Sequence, residues 1–218
     1  MSGISFLSKR AVLFDLDGVL LNSRPNMERA WQDVQDRVGV TVHFEDYFKN
    51  IGRPFRDILA ILGLQDLADE IEPIYSQSSK DNFHLATFYP NVVESLQKIA
   101  GQNIKLGIVT SKDKERTNIV LSRLPVTFSS VQTPNQKFRG KPAPDHLLAA
   151  MAELNVDPKD SLYIGDANVD AVAATRAGID YCHANWGYGE TKLEHVTFLK
   201  DINSLLTFLE IDKSKVCP

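Results

Sequence analysis

The sequence predicts an α/β fold: a doubly wound, Rossmann-like parallel sheet that carries an inserted all-α helical cap. Three observations support this prediction. Short apolar runs recur along the chain, helical patterns lie between most of them, and one long interval contains helical patterns only. Alternation of strand and helix is typical of right-handed β-α-β units, which build a parallel sheet covered by helices on both faces.

Apolar runs of strand length form the predicted sheet. The first run is AVLFDL, the second begins at Ile104, and the third is VTFSSV. The predicted strands cover residues 11–16, 104–110, 126–131, 161–165 and 179–184.

Helical patterns separate most of these strands. Pro90 and Asp113 are helix-start signals, whereas Gly101 and Gly178 are typical of helix ends. The predicted helices cover residues 91–100, 113–124, 143–154 and 169–177.

The interval after the first strand is expected to fold by itself, because a crossover of roughly seventy residues is far longer than an ordinary loop. We predict that residues 20–87 form a helical cap and that residues 1–19 and 88–218 form the α/β core. Pro73 lies in the third cap helix and is expected to kink or divide it. The apolar positions that define the three cap helices are Ala30, Trp31, Val34 and Val38; Phe55, Ile58, Leu59 and Leu62; and Leu67, Ile71, Ile74 and Tyr75.

Composition and charge exclude several classes of function. Hydrophobic residues make up 43% and charged residues 24% of the chain, a balance typical of soluble globular proteins. The 24 basic and 28 acidic residues give a net charge of −4 without a basic block, so a nucleic-acid partner is not expected. No apolar run approaches the roughly 18 residues of a membrane span. We therefore expect no membrane association.

The cysteines indicate a reducing compartment. Cys182 lies in a predicted strand and Cys217 near the C-terminus, which is too few for a disulfide framework. We expect a cytoplasmic protein, either a monomer or a homodimer. Cys182 and the adjacent His183 are interpreted as strand packing, because no second Cys or His follows at metal-ligand spacing.

Polar residues collect where the predicted strands end. In an open parallel sheet, ligands bind outside the carboxyl ends of the strands, near the point where the strand order reverses. The residues at these ends are Asp15, Asp17, Thr110, Ser111, Lys141, Asp166 and Asp170.

Several carboxylates at one edge would repel one another unless positive charge lay among them. Mg²⁺ is the predicted cofactor, because it prefers oxygen ligands and commonly joins a few carboxylates to a substrate phosphate. Lys141 adds a fixed positive charge. The Thr110 hydroxyl and the backbone N–H groups that follow it suit phosphoryl oxygens.

At this point the motifs carry a family resemblance. The segments FDLDGVLLNS, IVTSK, GKPAPD and GDANVD, in this order and spacing, resemble the four motifs of the haloacid dehalogenase superfamily of hydrolases. More narrowly, they resemble its phosphoglycolate phosphatase and β-phosphoglucomutase branch, which carries a helical cap after the first strand. The resemblance covers nearly the whole chain, including WGYG at 186–189. It implies a Mg²⁺-dependent phosphatase acting on a small phosphorylated metabolite.

The resemblance also implies catalytic roles. Asp15 would be the nucleophile that forms an aspartyl-phosphate, and Asp17 would protonate the leaving oxygen and then deprotonate the attacking water. An acid at Asp17 favours phosphate chemistry over carbon–halogen cleavage, because a halide leaving group needs no proton.

The remaining matched residues would bind the phosphoryl group and the metal. Thr110 and the Ser111 backbone would hold the phosphoryl oxygens, and Lys141 would neutralise charge between Asp15 and the phosphate. The implied metal ligands are Asp15, the backbone carbonyl of Asp17, Asp166 and, directly or through water, Asp170.

Several alternatives stay open. Asp170 also fits the first turn of the helix at 169–177, where the macrodipole favours an acid. Arg53 and Arg56, near a cap helix start, face either an anionic substrate or solvent, whereas Trp31 and Phe55 are interpreted as cap core. The alternative functions are a β-phosphoglucomutase-like mutase and a non-catalytic binding protein on the same scaffold.

Two positions depart from the family pattern. Asn22 stands where many relatives have an aspartate and is expected to cap the following helix. Ala167 stands where many relatives have Ser or Thr, which removes one hydrogen bond to a neighbouring ligand. Neither substitution removes a catalytic group.

Overall fold

The computed structural model describes residues 9–194 and 196–209. Cys217, one of the two cysteines, lies outside the described residues. Among the helices of the described part, none is long and apolar enough to cross a membrane.

Helices and strands are numbered in chain order. The first part of the chain contains β1 (Ala11–Phe14), β2 (Leu21–Asn22), α1 (Arg24–Val38), α2 (Phe44–Phe48), α3 (Phe55–Ile61), α4 (Ala68–Asp81) and β3 (Thr87–Phe88). The second part contains α5 (Val92–Ala100), β4 (Lys105–Val109), α6 (Lys114–Leu121), β5 (Ser130–Gln132), α7 (Asp145–Leu154), β6 (Ser161–Gly165), α8 (Asn168–Ala177), β7 (Asp180–Ala184), β8 (Thr197–Leu199) and α9 (Ile202–Phe208).

Six of the strands form one parallel sheet in the order β5-β4-β1-β6-β7-β8. The chain builds outward from β1 to β5, then returns to the centre at β6 and builds outward in the opposite direction. The strand order therefore reverses between β1 and β6, which is where doubly wound folds bind ligands. This arrangement confirms the predicted fold class.

The central strand β1 is buried on both faces. Its four residues have no exposed surface, and successive side chains enter different hydrophobic clusters. Val12 and Phe14 pack in the cluster that includes α5 and α9, whereas Ala11 and Leu13 pack in the one that includes α7 and α8. Coverage on both faces explains why this strand is a continuous apolar run rather than an alternating one.

The helices α1 to α4 have a hydrophobic cluster of their own. Trp31 is fully buried there and stacks on Tyr47 with ring centroids 4.5 Å apart, so it belongs to the cap core as predicted. At the base of these helices, Leu21 pairs with Phe88 and Asn22 with Thr87 in an antiparallel ladder. This ladder lies beside residues 20 and 87, the predicted cap boundaries, which stay a prediction.

Several local predictions are wrong. Pro73 does not divide α4, whose residues Ile71 and Tyr75 on either side of it are both buried in the cap cluster; the predicted alternative, a kink at Pro73, stays a prediction. The third strand begins only at Ser130, because the preceding apolar residues pack on the core without joining the ladder. Asn22 lies in β2 and does not cap α1, which begins at Arg24 after Ser23. The short helix α2, the strands β2, β3 and β8, and α9 were not predicted.

Candidate active site

The carboxylates that follow β1 and β6 meet at the point where the strand order reverses. Asp15 directly follows β1, and its backbone N–H donates to the Ile164 carbonyl of β6 at 2.9 Å. One carboxylate oxygen from each of Asp15, Asp166 and Asp170 lies within 4.8 Å of the others. All three side chains are buried, as expected for residues that lie where two central strands end.

Lys141 places a cation among these acids. Its Nζ donates to Asp15 Oδ2 at 2.8 Å and to Asp170 Oδ1 at 2.7 Å. Burial by itself would lower the pKa of Lys141, but the charges of Asp15 and Asp170 outweigh it and raise that pKa. Lys141 therefore stays protonated and holds the two acids together.

Asp170 accepts hydrogen bonds at both carboxylate oxygens. Oδ1 accepts from Lys141 and from the Tyr163 hydroxyl at 3.0 Å, and Oδ2 accepts from the backbone N–H groups of Ala167 at 3.0 Å and Asp166 at 3.3 Å. The residue thus lies in the first turn of α8 and also belongs to the acidic cluster. A position in the first turn of the helix and a position among the acids of the site, which the sequence analysis left open as alternatives, are therefore compatible.

The donor set of this cluster fits a divalent metal that prefers oxygen ligands. Burial raises the pKa of Asp15 to about 7, with Lys141 opposing the rise and Asp170 adding to it. Burial and the charges of Asp170 and Asp15 raise the pKa of Asp166 well above its usual range. Three buried carboxylates face one lysine, so a divalent cation at this cluster would compensate their remaining negative charge.

Asp17 lies on the side of the site that faces the cap. Its Oδ1 accepts from the Ser23 hydroxyl at 2.6 Å and lies 3.2 Å from Lys112 Nζ. Ser23 precedes α1, the first cap helix, so this carboxylate is held from both the core and the entry to the cap.

Thr110 and Ser111 follow β4 beside the acids. Thr110 is buried, and its Oγ1 accepts from the Lys112 backbone N–H at 3.2 Å. The Ser111 hydroxyl donates to the Gly52 carbonyl at 2.6 Å, which joins the core to the loop before α3. Both residues line the same cavity as Asp15, Asp17 and Asp166.

This cavity, about 40 Å³ in volume, lies between the sheet edge and the cap helices. Arg53 lines it, and so does Phe55, whose ring was interpreted as cap core only. Arg56 does not line it, because its guanidinium pairs with Asp69 and Glu72 at 2.7 Å on an exposed face. The two arginines therefore have different environments: Arg53 lies at the cavity, and Arg56 lies on an exposed face.

A family model for haloacid dehalogenase-like hydrolases matches residues 12–184. The chain belongs to this family. The match includes the strand-end acids, the lysine and the cap helices, and it confirms the family resemblance and the hydrolase class predicted from the sequence motifs.

Similar family members are phosphatases by name. Pyrophosphatase PpaX of Oceanobacillus iheyensis is 24% identical over 93% of this chain and 98% of its own length. A phosphoglycolate phosphatase of Aquifex aeolicus is 27% identical over 82% of this chain and 86% of its own length. An N-acetylmuramic acid 6-phosphate phosphatase of Pseudomonas aeruginosa is 29% identical over 82% and 83%.

Solved structures share the fold of this haloacid dehalogenase-like hydrolase. A Lactobacillus plantarum protein assigned as a phosphoglycolate phosphatase has a TM-score of 0.85 at 22% identity, covering 92% of this chain and 99% of its own. A Bacteroides vulgatus protein assigned as a β-phosphoglucomutase has a TM-score of 0.74 at 24% identity, covering 94% and 91%. At these identities the similarity establishes the fold alone.

Two cationic side chains of this haloacid dehalogenase-like hydrolase were not predicted from sequence. Lys112 is buried beside Asp17, and burial lowers its pKa against the opposing charge of that acid. Arg116 lines the cavity, pairs with Asp113 and lies 5.3 Å from the Tyr75 ring centroid. Lys112 is part of the IVTSK motif in the sequence. Its contact with Asp17 could not be predicted, because it depends on the conformation of the turn after β4.

Glycine allows the loops of the hydrolase site to approach Asp166. Gly18 has a φ of +81°, and a Cβ there would lie 2.0 Å from Asp166 Oδ2. A Cβ at Gly187, in the WGYG segment, would lie 2.3 Å from Asp166 Cβ. Both positions therefore require glycine, which is a sequence signal for close backbone approach to a functional side chain.

Cys182 and His183 lie in β7, away from the acids of the hydrolase site. His183 Nδ1 is 3.0 Å from the Tyr181 hydroxyl and its Nε2 is 3.3 Å from the Gly189 carbonyl, while Cys182 is buried. Both ring nitrogens have partners within the protein. This geometry agrees with the interpretation of the pair as strand packing.

Proposed function

We propose that the protein is a Mg²⁺-dependent phosphatase that hydrolyses a small phosphorylated metabolite through an aspartyl-phosphate on Asp15. The observation that carries this proposal is the placement of Asp15 between Lys141, at 2.8 Å, and a cavity that also contains Asp17. A nucleophile, a fixed cation and a second acid meet there, which is the set that covalent phosphoryl transfer requires. The names of the relatives, which include pyrophosphate, phosphoglycolate and sugar-phosphate hydrolases, support a small substrate.

In the first step, a carboxylate oxygen of Asp15 forms a bond to phosphorus and the ester bond to the leaving group breaks. Asp17 donates its proton to the leaving oxygen, so the product departs as a neutral alcohol. Lys141 keeps its proton and offsets charge on Asp15 and on the phosphoryl oxygens. The Thr110 hydroxyl and the Ser111 backbone N–H donate to those oxygens.

In the second step, a water molecule attacks the phosphorus atom of the aspartyl-phosphate. Asp17, now ionised, accepts the proton of this water, and the bond between phosphorus and the Asp15 oxygen breaks. Inorganic phosphate leaves and both acids return to their starting protonation states. Bound at Asp15, Asp166 and the Asp17 carbonyl, with Asp170 beside them, Mg²⁺ would supply charge neutralisation at the phosphate.

Residues 20–87 act in this proposal as a cap that closes the site. The Ser111 hydrogen bond to Gly52 joins cap loop and core, and Gly140 lies so near Pro54 that a Cβ there would be 2.2 Å from its ring. A cap that can make such close contact would close over a small substrate and exclude bulk water. A cytoplasmic setting fits the proposal, because Cys182 is a free, buried thiol.

The test is a panel of phosphomonoesters and pyrophosphate assayed for phosphate release with Mg²⁺, with chelator, and with the variant Asp15→Asn. We expect turnover only by the unaltered chain with Mg²⁺. Aluminium or beryllium fluoride should inhibit by mimicking the phosphoryl group on Asp15. Asp36→Asn, on the exposed face of α1, is a matched control for the loss of one carboxylate and should keep the turnover of the unaltered chain with Mg²⁺.

Four outcomes would contradict the proposal. Appreciable turnover by Asp15→Asn would exclude the covalent step, and turnover in chelator would exclude the metal. A protein that isomerises a sugar phosphate without releasing phosphate would instead be a mutase, which shares the core residues and differs in what accepts the phosphoryl group. No turnover of any compound would favour the non-catalytic alternative.

A further inference from the structure

Tyr188 lies in the WGYG segment after β7, and its hydroxyl reaches the start of the first cap helix. The hydroxyl accepts hydrogen bonds from the backbone N–H groups of Ser23 at 2.6 Å and Arg24 at 3.1 Å. It lies 3.2 Å from the Leu21 carbonyl, to which it donates. Its ring packs on Phe48 of α2, with centroids 5.0 Å apart. One side chain of the core therefore fixes the point where the chain enters the cap.

Ser23 occupies the N-cap position of α1 but does not cap it with its side chain. A serine at this position ordinarily accepts a hydrogen bond from an N–H of the first helical turn. Here the Ser23 hydroxyl donates to Asp17 Oδ1 at 2.6 Å instead. The Tyr188 hydroxyl supplies an acceptor at the start of the helix, where N–H groups have no intrahelical partner. Ser23 is thereby available to hold Asp17.

The main chain of Tyr188 contacts the opposite side of the site. Its backbone N–H donates to Asp166 Oδ2 at 2.7 Å. Tyr188 therefore contacts Asp166 through its backbone and the segment that holds Asp17 through its hydroxyl. These contacts are chemically separable, because a phenylalanine at this position would keep the backbone contact and the ring while losing the hydroxyl.

We propose that Tyr188 is a positioning residue for the acid/base step, whose hydroxyl holds Ser23 so that Ser23 keeps Asp17 directed at the leaving oxygen. The proposal rests on the proposed function, because it assumes that Asp17 protonates the leaving group. In this proposal the Tyr188 hydroxyl affects the position of Asp17 and does not affect the metal ligand Asp166. Loss of the hydroxyl should therefore impair proton transfer selectively.

The experiment compares substrates that differ in their need for an acid. An alkyl phosphate releases a strongly basic alkoxide unless it is protonated, whereas 4-nitrophenyl phosphate releases a stable phenolate. We expect Tyr188→Phe to lower kcat/KM for the alkyl phosphate about tenfold, which is part of the full contribution of a general acid. The same variant should change kcat/KM for 4-nitrophenyl phosphate less than about twofold. The ratio kcat/KM is the appropriate measure, because it reports the step in which the leaving group departs.

A second readout does not depend on activity. Mg²⁺ affinity, measured by calorimetry, should be unchanged in Tyr188→Phe, because the backbone contact with Asp166 remains. Tyr181→Phe is the matched control, since it removes a buried hydroxyl that bonds to His183 and touches neither Ser23 nor Asp17. Ser23→Ala should reproduce the selective loss of kcat/KM for the alkyl phosphate. The double variant Tyr188→Phe/Ser23→Ala should be no more impaired than the worse of the two single variants, because both substitutions act through the contact between Ser23 and Asp17.

Equal losses for both substrates, or markedly weaker Mg²⁺ binding, would assign Tyr188 to the metal side of the site or to folding and would overturn the inference. Unchanged kinetics for both substrates would overturn it as well. If Tyr188→Phe does not fold, Ser23→Ala carries the same comparison, and a non-selective loss there counts against the inference. A wild-type protein inactive on both substrates would refute the proposed function itself, before any variant is compared.

Discussion

Lys112 Nζ lies 3.2 Å from Asp17 Oδ1, and both side chains are largely withdrawn from solvent, with 5% and 13% of their surfaces exposed. At such low exposure the pair is poorly screened by water, so the charge of Lys112 acts strongly on Asp17 and on any phosphoryl group in the cavity.

Replacement of Lys112 by methionine should lower kcat/KM roughly tenfold to a hundredfold, because a buried cation near the developing charge is lost. Lys114→Met, two residues along at an exposed position of α6, should change it less than about twofold by the same reasoning about screening. Steady-state phosphate release by the two variants checks this. Equal effects would show that Lys112 contributes no more than a surface charge.

The fall of activity at alkaline pH should also depend on the protonation of Lys112. Burial lowers its pKa, so the folded protein loses this proton at a lower pH than a free lysine does. Activity should therefore fall on the alkaline side as the cation is lost, and Lys112→Arg should move that fall to higher pH, because arginine keeps its charge. A fall at the same pH in both proteins would assign the titration to another group.

Mg²⁺ binding should weaken in acid. The pKa of Asp15 is about 7, so below that pH the carboxyl holds a proton that a bound cation must displace. The apparent affinity should fall by up to about tenfold for each pH unit below 7 and level off above it. Calorimetry in buffers of different ionisation enthalpy would measure the proton released. An affinity that is constant between about pH 6 and 8 would contradict the role of Asp15 as a ligand.

The strand ends of the site were predictable because the topology of a parallel sheet brings them together. Asp15, Thr110 and Asp166 follow adjacent strands, and apolar runs separated by helical patterns were sufficient to place those strands. Lys141 was placed near this edge because it follows the third strand, but the loop between them has no periodic pattern that would predict the contact of Lys141 with Asp170.

Contacts that depend on loop conformation or on docking of the cap were not predictable in the same way. Tyr188 meets Ser23 across 165 positions of the chain, and Lys112 meets Asp17 through a turn. Neither contact leaves a periodic signal, because the first depends on how the cap docks on the core and the second, between two core residues, depends on the turn after β4. The short strand β8 was missed for a related reason: its pairing with β7 adds only three residues at the edge of the sheet.

Arg53 and Arg56 provide a matched pair for testing substrate contact. Arg53 lines the cavity, whereas the Arg56 side chain is 57% exposed and paired with Asp69 and Glu72. Arg53→Ala should lower kcat/KM about tenfold for a substrate with a second anionic group, and Arg56→Ala should change it less than about twofold, because exposed ion pairs contribute little. Equal effects in kinetic assays would mean that the cap opens far enough to bring Arg56 to the substrate.

Gly18 tests whether the close approach to Asp166 is required. Gly18→Ala combines an unfavourable positive φ with a Cβ 2.0 Å from Asp166 Oδ2, whereas Gly63→Ala has a φ of +72° and meets nothing within 4 Å. Gly63→Ala should therefore cost only the backbone strain, about 1 kcal/mol of unfolding free energy, and leave activity intact. Gly18→Ala should cost more and also weaken Mg²⁺ binding, because Asp166 must move away from the new methyl group. Denaturant unfolding and calorimetry on both variants would measure this. Unchanged Mg²⁺ affinity in Gly18→Ala would show that Asp166 either does not bind the metal or binds it from another position.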